Sequence, residues 1–139
     1  MTKDVLITVS GVQQDANGAG DPIELMVPGT YHFRNNKHYL LYDEYDEDGE
    51  VTKNTVKISG DQVDVIRKGP GSSHMVFEKN KENLTFYNTP FGTMLMGITT
   101  TKIDFVESKT KMELGVDYSL AVDGRFVSDC NISITVQAK

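Results

Sequence analysis

Apolar and polar residues alternate with a period of two along almost the whole chain. The first such run is Val5-Leu6-Ile7-Thr8-Val9, and β-branched or aromatic residues fill most of the later ones. A period of two places successive side chains on opposite faces of an extended strand. The pattern therefore predicts β-strands throughout, and no stretch sustains the helical period.

Short turn signals divide this pattern into about ten strands. Asn35-Asn36, Gly60-Asp61 and Asp48-Gly49 separate consecutive runs. Asp48-Gly49 predicts a two-residue type I′ turn, because both central positions of that turn require a positive φ. Pro28-Gly29 interrupts a run that resumes beyond it, which predicts a bulge or a sharp bend, as at a barrel corner.

The clearest hairpin is predicted around the turn Asp123-Gly124. One face of the strand before it is apolar: Met112, Leu114, Val116, Tyr118, Leu120 and Val122. The strand after it is expected to continue that face with Phe126, Cys130, Ile132, Ile134 and Val136.

Ten strands joined by tight turns at regular spacing predict an all-β fold. A flat meander would leave two open edges, whereas closure pairs every strand. We therefore expect a closed antiparallel up-and-down β-barrel of about 8–10 strands, with residues 1–139 as one domain. A two-sheet sandwich is the alternative.

Composition narrows the class of partner. The formal net charge is −6 and no Lys/Arg cluster is present, which argues against nucleic acid and against anionic membranes. The single cysteine, Cys130, has no internal disulfide partner. The N-terminal residues show no signal-peptide pattern, and no apolar run is long enough to cross a membrane. A cytoplasmic, reducing location is expected.

Several short segments together resemble a known family. They are Tyr39-Leu40-Leu41-Tyr42-Asp43-Glu44, Arg67-Lys68-Gly69, Ser73-His74-Met75-Val76-Phe77, Thr89-Pro90-Phe91-Gly92 and Thr101-Lys102-Ile103. In this order and spacing they resemble the YwiB-like bacterial family of domains of unknown function. The resemblance implies a calycin-type (lipocalin-like) β-barrel and a bacterial cytoplasmic origin. It implies no activity.

Metal and cofactor motifs are weak in this sequence. Glu44-x-Asp46-x-Asp48-Gly49 approximates the start of a calcium loop, but Thr55 stands where the bidentate Glu should be. The acids are better explained as a solvated hairpin tip. His32, His38 and His74 lack metal-ligand spacing. We expect no metal and no cofactor.

Two charged residues fall on faces that should point inward. Glu44 shares a face with Leu40 and Tyr42, and Arg67 shares one with Val63 and Val65. A buried charge is costly unless it is paired. We therefore predict that Glu44 and Arg67 pair with each other or with a ligand's polar group. The alternative is two strand-end residues that reach solvent.

Methionines suggest an adaptable interior. Met94, Met96 and Ile98 alternate on one face, and Met75 and Met112 are candidates to join them. Met fills irregular spaces, so such an interior is suited to a flexible apolar ligand. The alternative is a packed core, which is common in small barrels.

The leading hypothesis is a non-catalytic module that binds a small, partly apolar ligand inside the barrel. The residues expected to line or gate it are Tyr42, Glu44, Arg67, Phe77, Tyr87 and Met96. The alternative is a protein-interaction or structural barrel with a closed interior, as a monomer or a dimer. Catalysis by Glu44 as a general base has little support, because no partner group is identifiable.

Overall fold

Ten antiparallel β-strands form the described part of the chain in a computed structural model. The structure describes residues 3–14, 23–69, 72–89 and 92–139. The strands are β1 Asp4–Gln14, β2 Ile23–Arg34, β3 Lys37–Tyr45, β4 Val51–Ser59, β5 Gln62–Lys68, β6 Ser73–Glu78, β7 Lys81–Thr89, β8 Gly92–Glu107, β9 Lys111–Val122 and β10 Arg125–Ala138.

The strands form one sheet that curls into a nearly closed barrel. The strand order is β6-β5-β4-β3-β2-β1-β10-β9-β8-β7, so β1 pairs with β10 from Val5↔Ala138 to Gln14↔Asp129. The order begins and ends at β6 and β7, which therefore meet at a seam. There the Thr85 hydroxyl donates to the carbonyl oxygen of His74 at 2.8 Å. The predicted all-β barrel is confirmed, and the sandwich is not what forms.

The inner faces of the strands supply the core. On β4 the burial alternates, with Asn54, Val56 and Ile58 buried between more exposed neighbours. Similar alternation on β3 and β9 contributes to a mainly aliphatic interior. Its apolar members are Val5, Ile7, Leu40, Tyr42, Val56, Ile58, Val63, Phe77, Ile98, Met112, Leu114, Val116, Ile134 and Val136.

Two β-bulges change which face a residue occupies. On β10 the register jumps between Phe126, which pairs with Ala121, and Ser128, which pairs with Leu120. The extra residue reverses the alternation, so Ser128 is buried and Phe126 is exposed. The prediction that Phe126 continues the apolar face is therefore wrong. The second bulge lies in β8 between Thr100 and Lys102.

The tight turns follow the predicted positions, with one different conformation. Asn35-Asn36 and Asp123-Gly124 have positive φ at both residues, as type I′ requires. In Asp48-Gly49 only Gly49 does. The Asp46 carboxylate accepts from the backbone N–H groups of Asp48 and Glu50, at 2.9 and 2.8 Å. These bonds hold a longer loop, so the predicted two-residue type I′ turn is wrong here.

Pro28-Gly29 marks a fork between strands. β2 keeps an unbroken register with β1 from Ile23 to Thr30, so the predicted bulge is absent from that ladder. With β3, however, β2 pairs only from Thr30 to Arg34. Pro28 has no N–H to offer a neighbour, which suits a strand edge without a partner. β2 and β3 thus diverge toward one mouth of the barrel.

Candidate functional site

Three neighbouring strands place polar side chains side by side at the mouth beside this fork. Tyr42 of β3 pairs with Asn54 of β4, and Asn54 pairs with Arg67 of β5. Glu44 lies two residues beyond Tyr42, on the same face. The next inward row is the aliphatic series Leu40, Val56 and Val65. Strand alternation therefore directs these four polar residues toward the lumen.

A cavity of about 310 Å³ lies against this polar row. Eight strands contribute to its wall, so it depends on barrel closure. Its lining is mainly aliphatic and aromatic: Val9, Ser10, Gly11, Leu25, Tyr42, Glu44, Asn54, Val56, Val65, Arg67, Met75, Tyr118, Ile132 and Ile134. A concave, largely apolar site with a few convergent polar groups is typical of small-molecule sites.

A more open depression lies on the outer side of the fork. Its volume is about 710 Å³, and its wall includes Pro28, Leu41 and Tyr45. Tyr42 and Asn54 border both this depression and the inner cavity. Tyr42 and Asn54 are therefore the described residues that the two spaces share as a wall.

Glu44 is the centre of the polar contacts. Its Oε2 accepts from Arg67 Nη2 at 3.4 Å, and its Oε1 accepts from Asn54 Nδ2 at 3.0 Å. The predicted pairing of Glu44 with Arg67 is therefore present. The side chains of Glu44 and Arg67 are 29% and 42% exposed, so the pair sits at the mouth rather than in the core.

Asn54 carries the one unusual feature of the row. It is 2% exposed, and its Oδ1 has no hydrogen-bond partner. The amide orientation is fixed by chemistry, because only Nδ2 can donate to the Glu44 carboxylate. A buried acceptor without a partner is costly in a folded protein. Such atoms call for an explanation, and a bound molecule is one.

The two tyrosines of the cavity are held neutral. Burial raises the pKa of Tyr42 to about 12, and Glu44 raises it further while Arg67 lowers it. Burial also raises the pKa of Tyr118, with a contribution from the neighbouring Cys130. Both phenols are therefore protonated at neutral pH, where they present an apolar ring and a hydroxyl tip.

The predicted site residues divide into three groups. Tyr42, Glu44 and Arg67 line the cavity. Phe77 is buried behind it, where its ring packs edge-on against the ring of Tyr118 with the two ring centroids 4.8 Å apart. Met96 is buried on β8 but does not line this cavity. The side chain of Tyr87 lies outside the described residues.

Sequence reasoning did not find the rest of the wall. Asn54 and Tyr118 were missed, as were the aliphatic residues of β1, β2 and β10. For Asn54 a signal was available, because it occupies an inward position between Thr52 and Val56 in an alternating strand. The other residues come together only through closure.

A second cluster fills the opposite end of the barrel. The Tyr31 hydroxyl and His38 Nδ1 are 2.8 Å apart, and the imidazole contacts the rings of Phe33 and Phe105. Its Nε2 lies 3.9 Å from Glu107. The rings of Tyr31, Phe33 and Phe105 therefore pack around the His38 imidazole at this end. Within residues 3–14, 23–69, 72–89 and 92–139, no group of three or more His, Cys, Asp or Glu is placed to hold a metal ion.

Comparison with known proteins identifies the family. A family model described as "Domain of unknown function (DUF1934)" matches residues 7–134. The chain belongs to the DUF1934 family. It is 27% identical over 133 residues to the "Uncharacterized beta-barrel protein YwiB" of Bacillus subtilis (strain 168), covering 96% of this chain and 92% of that protein.

A solved structure supports the barrel. The crystal structure of the ywiB protein from Bacillus subtilis matches with a TM-score of 0.87 at 26% identity, covering 99% of this chain and 92% of the other. The resemblance to a YwiB-like family is therefore confirmed, whereas the calycin-type classification stays a prediction. DUF1934 is an uncharacterised family, and nothing in the comparisons points to catalysis. In the described part of the chain, no helix is long and apolar enough to cross a bilayer.

Proposed function

We propose that this DUF1934 protein is a non-catalytic module that binds a small, partly apolar molecule in the mouth of its barrel. One observation carries the proposal: a cavity of about 310 Å³ has aliphatic walls and a polar row at one side. Within that row, the buried Asn54 retains an acceptor oxygen without a partner. A packed, purely structural interior would gain nothing from that arrangement.

The two sides of the cavity have different roles. Leu25, Val9 and Ile134 offer an apolar surface from β2, β1 and β10, against which a ligand's carbon skeleton would be buried. Glu44 and Arg67 stand at the opening, where they would orient the ligand's polar end. The fork between β2 and β3 supports entry from the side, since Tyr42 and Asn54 separate the lumen from the outer depression there.

Glu44 is poorly suited to act as a general base. Its two carboxylate oxygens already accept hydrogen bonds, one of them from a guanidinium group. We therefore infer no catalytic role for Glu44.

Native mass spectrometry tests the proposal directly. The protein is purified without denaturation, and its mass is compared before and after unfolding. We expect a small molecule retained by the wild-type protein and lost from Val65→Phe, which fills the cavity from β5. Val106→Phe adds the same volume at an exposed position and should retain the molecule. Equal masses for native and unfolded wild-type protein, or equal retention in both variants, would contradict the proposal.

A second candidate function rests on the outer surface. Leu84, Gly97, Ala121 and Phe126 lie in one row across β7 to β10. The two large residues of this row, Leu84 and Phe126, are 64% and 66% exposed. Exposed apolar groups in register suit self-association through this face. Sedimentation velocity would test it: a dimer that Phe126→Glu converts to a monomer favours this candidate, and a wild-type monomer excludes it.

We also infer a cytoplasmic location. Cys130 is the single cysteine of the chain and is a free thiol, which suits a reducing compartment. Its thiol lies 3.4 Å from the hydroxyl of Ser128 on β10. Fractionation of the native host, with the protein detected by antibody, checks this inference.

A further inference from the structure

We propose that the cavity selects an uncharged ligand that carries a hydrogen-bond donor, and that it discriminates against organic anions. This inference rests on the proposed function, because it concerns the same cavity. It follows from the balance of charge in the wall and from the kind of polar atom that lacks a partner.

The wall contains one residue of each charge, and the two are paired. Glu44 and Arg67 are the only ionised side chains among the lining residues, and they form an ion pair with each other. Their charges cancel over the cavity. A ligand carboxylate or sulfonate would leave water without gaining an unpaired cation, which is unfavourable. A neutral molecule does not meet this penalty.

The surroundings of the mouth add negative charge. The loop between β3 and β4 begins immediately after Tyr45 and carries Asp46, Glu47, Asp48 and Glu50, all exposed. Glu44 is the second-last residue of β3, immediately before this loop. The resulting field repels an approaching anion and acts in the same direction as the paired charges of the wall.

The polar atoms of the row call for a donor on the ligand. The Glu44 carboxylate only accepts, and it already turns the Asn54 amide so that Nδ2 faces it. The Asn54 oxygen is consequently the acceptor left without a partner. An alcohol, a primary amide or an aryl amine carries an N–H or O–H group, the kind of partner that Asn54 Oδ1 lacks. The cavity has the volume of about ten water molecules, which suits a small molecule of that kind.

A matched pair of fluorescent probes tests the inference. N-phenyl-1-naphthylamine is uncharged and has one N–H donor, and 8-anilinonaphthalene-1-sulfonate is the same ring system with a sulfonate added. We expect the uncharged probe to bind wild-type protein at least tenfold more tightly, and Val65→Phe to weaken its binding at least tenfold.

The decisive measurement is the change in selectivity when the ion pair is broken. Glu44→Gln leaves Arg67 as an unpaired cation, so the Kd of the sulfonate probe should fall about tenfold while that of the uncharged probe changes less than twofold. Arg67→Met leaves Glu44 unpaired, so the sulfonate probe should bind this variant more weakly than it binds wild-type protein. Glu113→Gln is the matched control, because Glu113 pairs with Lys111 on the exposed face of β9 and changes net charge equally.

The outcomes separate this inference from the proposed function. If Val65→Phe affects the binding of neither probe, the cavity is not a binding site and both proposals fail. If Val65→Phe removes both probes but the sulfonate binds wild-type protein as tightly as the amine, only the charge selectivity is wrong. The charge selectivity is also wrong if Glu44→Gln and Glu113→Gln change the ratio of the two Kd values equally. Melting temperatures verify that each variant is folded. If Glu44→Gln does not fold, the effect of Arg67→Met on the Kd of the sulfonate probe decides whether the ion pair sets the charge selectivity.

Discussion

At the scale of single residues, Gly29 shows how closely the fork is packed. A Cβ placed on Gly29 would lie against the Ile7 side chain, 2.6 Å from the Leu41 carbonyl oxygen and 3.3 Å from Tyr42 Cβ. Two of these neighbours are backbone or backbone-fixed atoms that cannot turn away. Glycine is thus required here for space and not for a special φ.

Gly29→Ala should therefore destabilise the protein by about 2 kcal/mol, because overpacking forces the core and backbone to shift. The measurement is the free energy of unfolding from urea titration. Gly115→Ala is the control, since a Cβ there meets nothing within 4 Å, and it should stay within about 0.5 kcal/mol of wild type. Equal effects of the two substitutions would contradict the close packing at the fork.

The fixed amide of Asn54 leads to a second prediction. Asn54→Asp keeps the shape but places a carboxyl group in a buried position against the Glu44 carboxylate. We expect a loss of about 3 kcal/mol at pH 7. Burial and the like charge raise the pKa of the introduced carboxyl group in the folded state, so this loss should shrink as the pH falls toward 4.

Urea titrations of Asn54→Asp at pH 7 and pH 4, each referred to wild type, measure this dependence. Asn80→Asp is a suitable control, because Asn80 is exposed in the turn between β6 and β7. It should have little effect at either pH. A penalty for Asn54→Asp that is the same at both pH values would show that the position is more hydrated than the structure indicates.

The raised pKa of Tyr42 predicts that the protein loses stability at alkaline pH. Its pKa is about 12 when folded and 10.0 when unfolded, mainly because burial disfavours the phenolate. The unfolded chain releases the phenolic proton first, so the contribution of Tyr42 is complete below pH 10 and is lost between pH 10 and about 12. The full difference corresponds to about 3 kcal/mol.

Tyr42→Phe removes this titrating group without removing the ring. The stability of wild-type protein should therefore decline more steeply between pH 10 and 12 than that of Tyr42→Phe. Urea titrations at half-unit steps of pH measure both slopes, and other alkaline titrations are common to the two proteins. Parallel curves would mean that the Tyr42 hydroxyl is solvated in the folded state.

At the scale of elements, turns and bulges decide which face each side chain occupies. The hairpin of β2 and β3 holds Asn35 and Asn36 at φ values of 52° and 61°. A type I′ turn accepts asparagine there but prefers glycine at its second central position. The strain of a non-glycine residue at positive φ is thus a local cost in this hairpin.

Asn36→Gly should stabilise the protein by about 0.5 kcal/mol, and Asn36→Ala should destabilise it by about 1 kcal/mol, because alanine lacks the local hydrogen bonding that lets asparagine adopt this region. Thermal unfolding followed by circular dichroism gives both values. If both variants lose stability, the Asn36 side chain makes a contact that outweighs backbone strain.

The sequence predicted elements well where their signals are local. Period-two alternation is a property of a strand itself, so the barrel class and the inward direction of Glu44 and Arg67 could be predicted. The bulge at Val127 could not be predicted. One extra residue reverses the alternation there, but no residue type in the sequence marks its position. Nor could the fork be predicted, since Pro28 is compatible with a bulge, a bend or an unpaired edge.

At the scale of the whole molecule, closure creates the site. Val9 and Ile134 pair with each other across β1 and β10, and both line the cavity with Val65 and Tyr118 from distant strands. Their meeting depends on strand order and on the curvature of the sheet, which no short segment encodes. This is why sequence reasoning found the charged pair and missed most of the wall around it.

Closure is incomplete at the seam, which predicts where the barrel opens first. β6 is laddered only to β5 and β7 only to β8, whereas β9 is laddered on both sides. A strand with one ladder has half of its backbone groups outside the sheet hydrogen bonds, and local opening there breaks fewer interactions. Across this line lie the Thr85 hydrogen bond to His74 and, beside the turn, the ion pair of Lys81 with Glu78, both made by side chains.

Hydrogen exchange followed by mass spectrometry tests this directly. Amides of β6 and β7 should exchange at least tenfold faster than those of β9 and β10 under native conditions, because opening the seam leaves the other nine interfaces between strands intact. Gly29→Ala provides the contrasting case: it should accelerate exchange in β2 and β3 while leaving the ratio between β7 and β9 unchanged. Uniform protection of all ten strands would instead mean that the barrel opens only by global unfolding, and the seam would then be closed in solution.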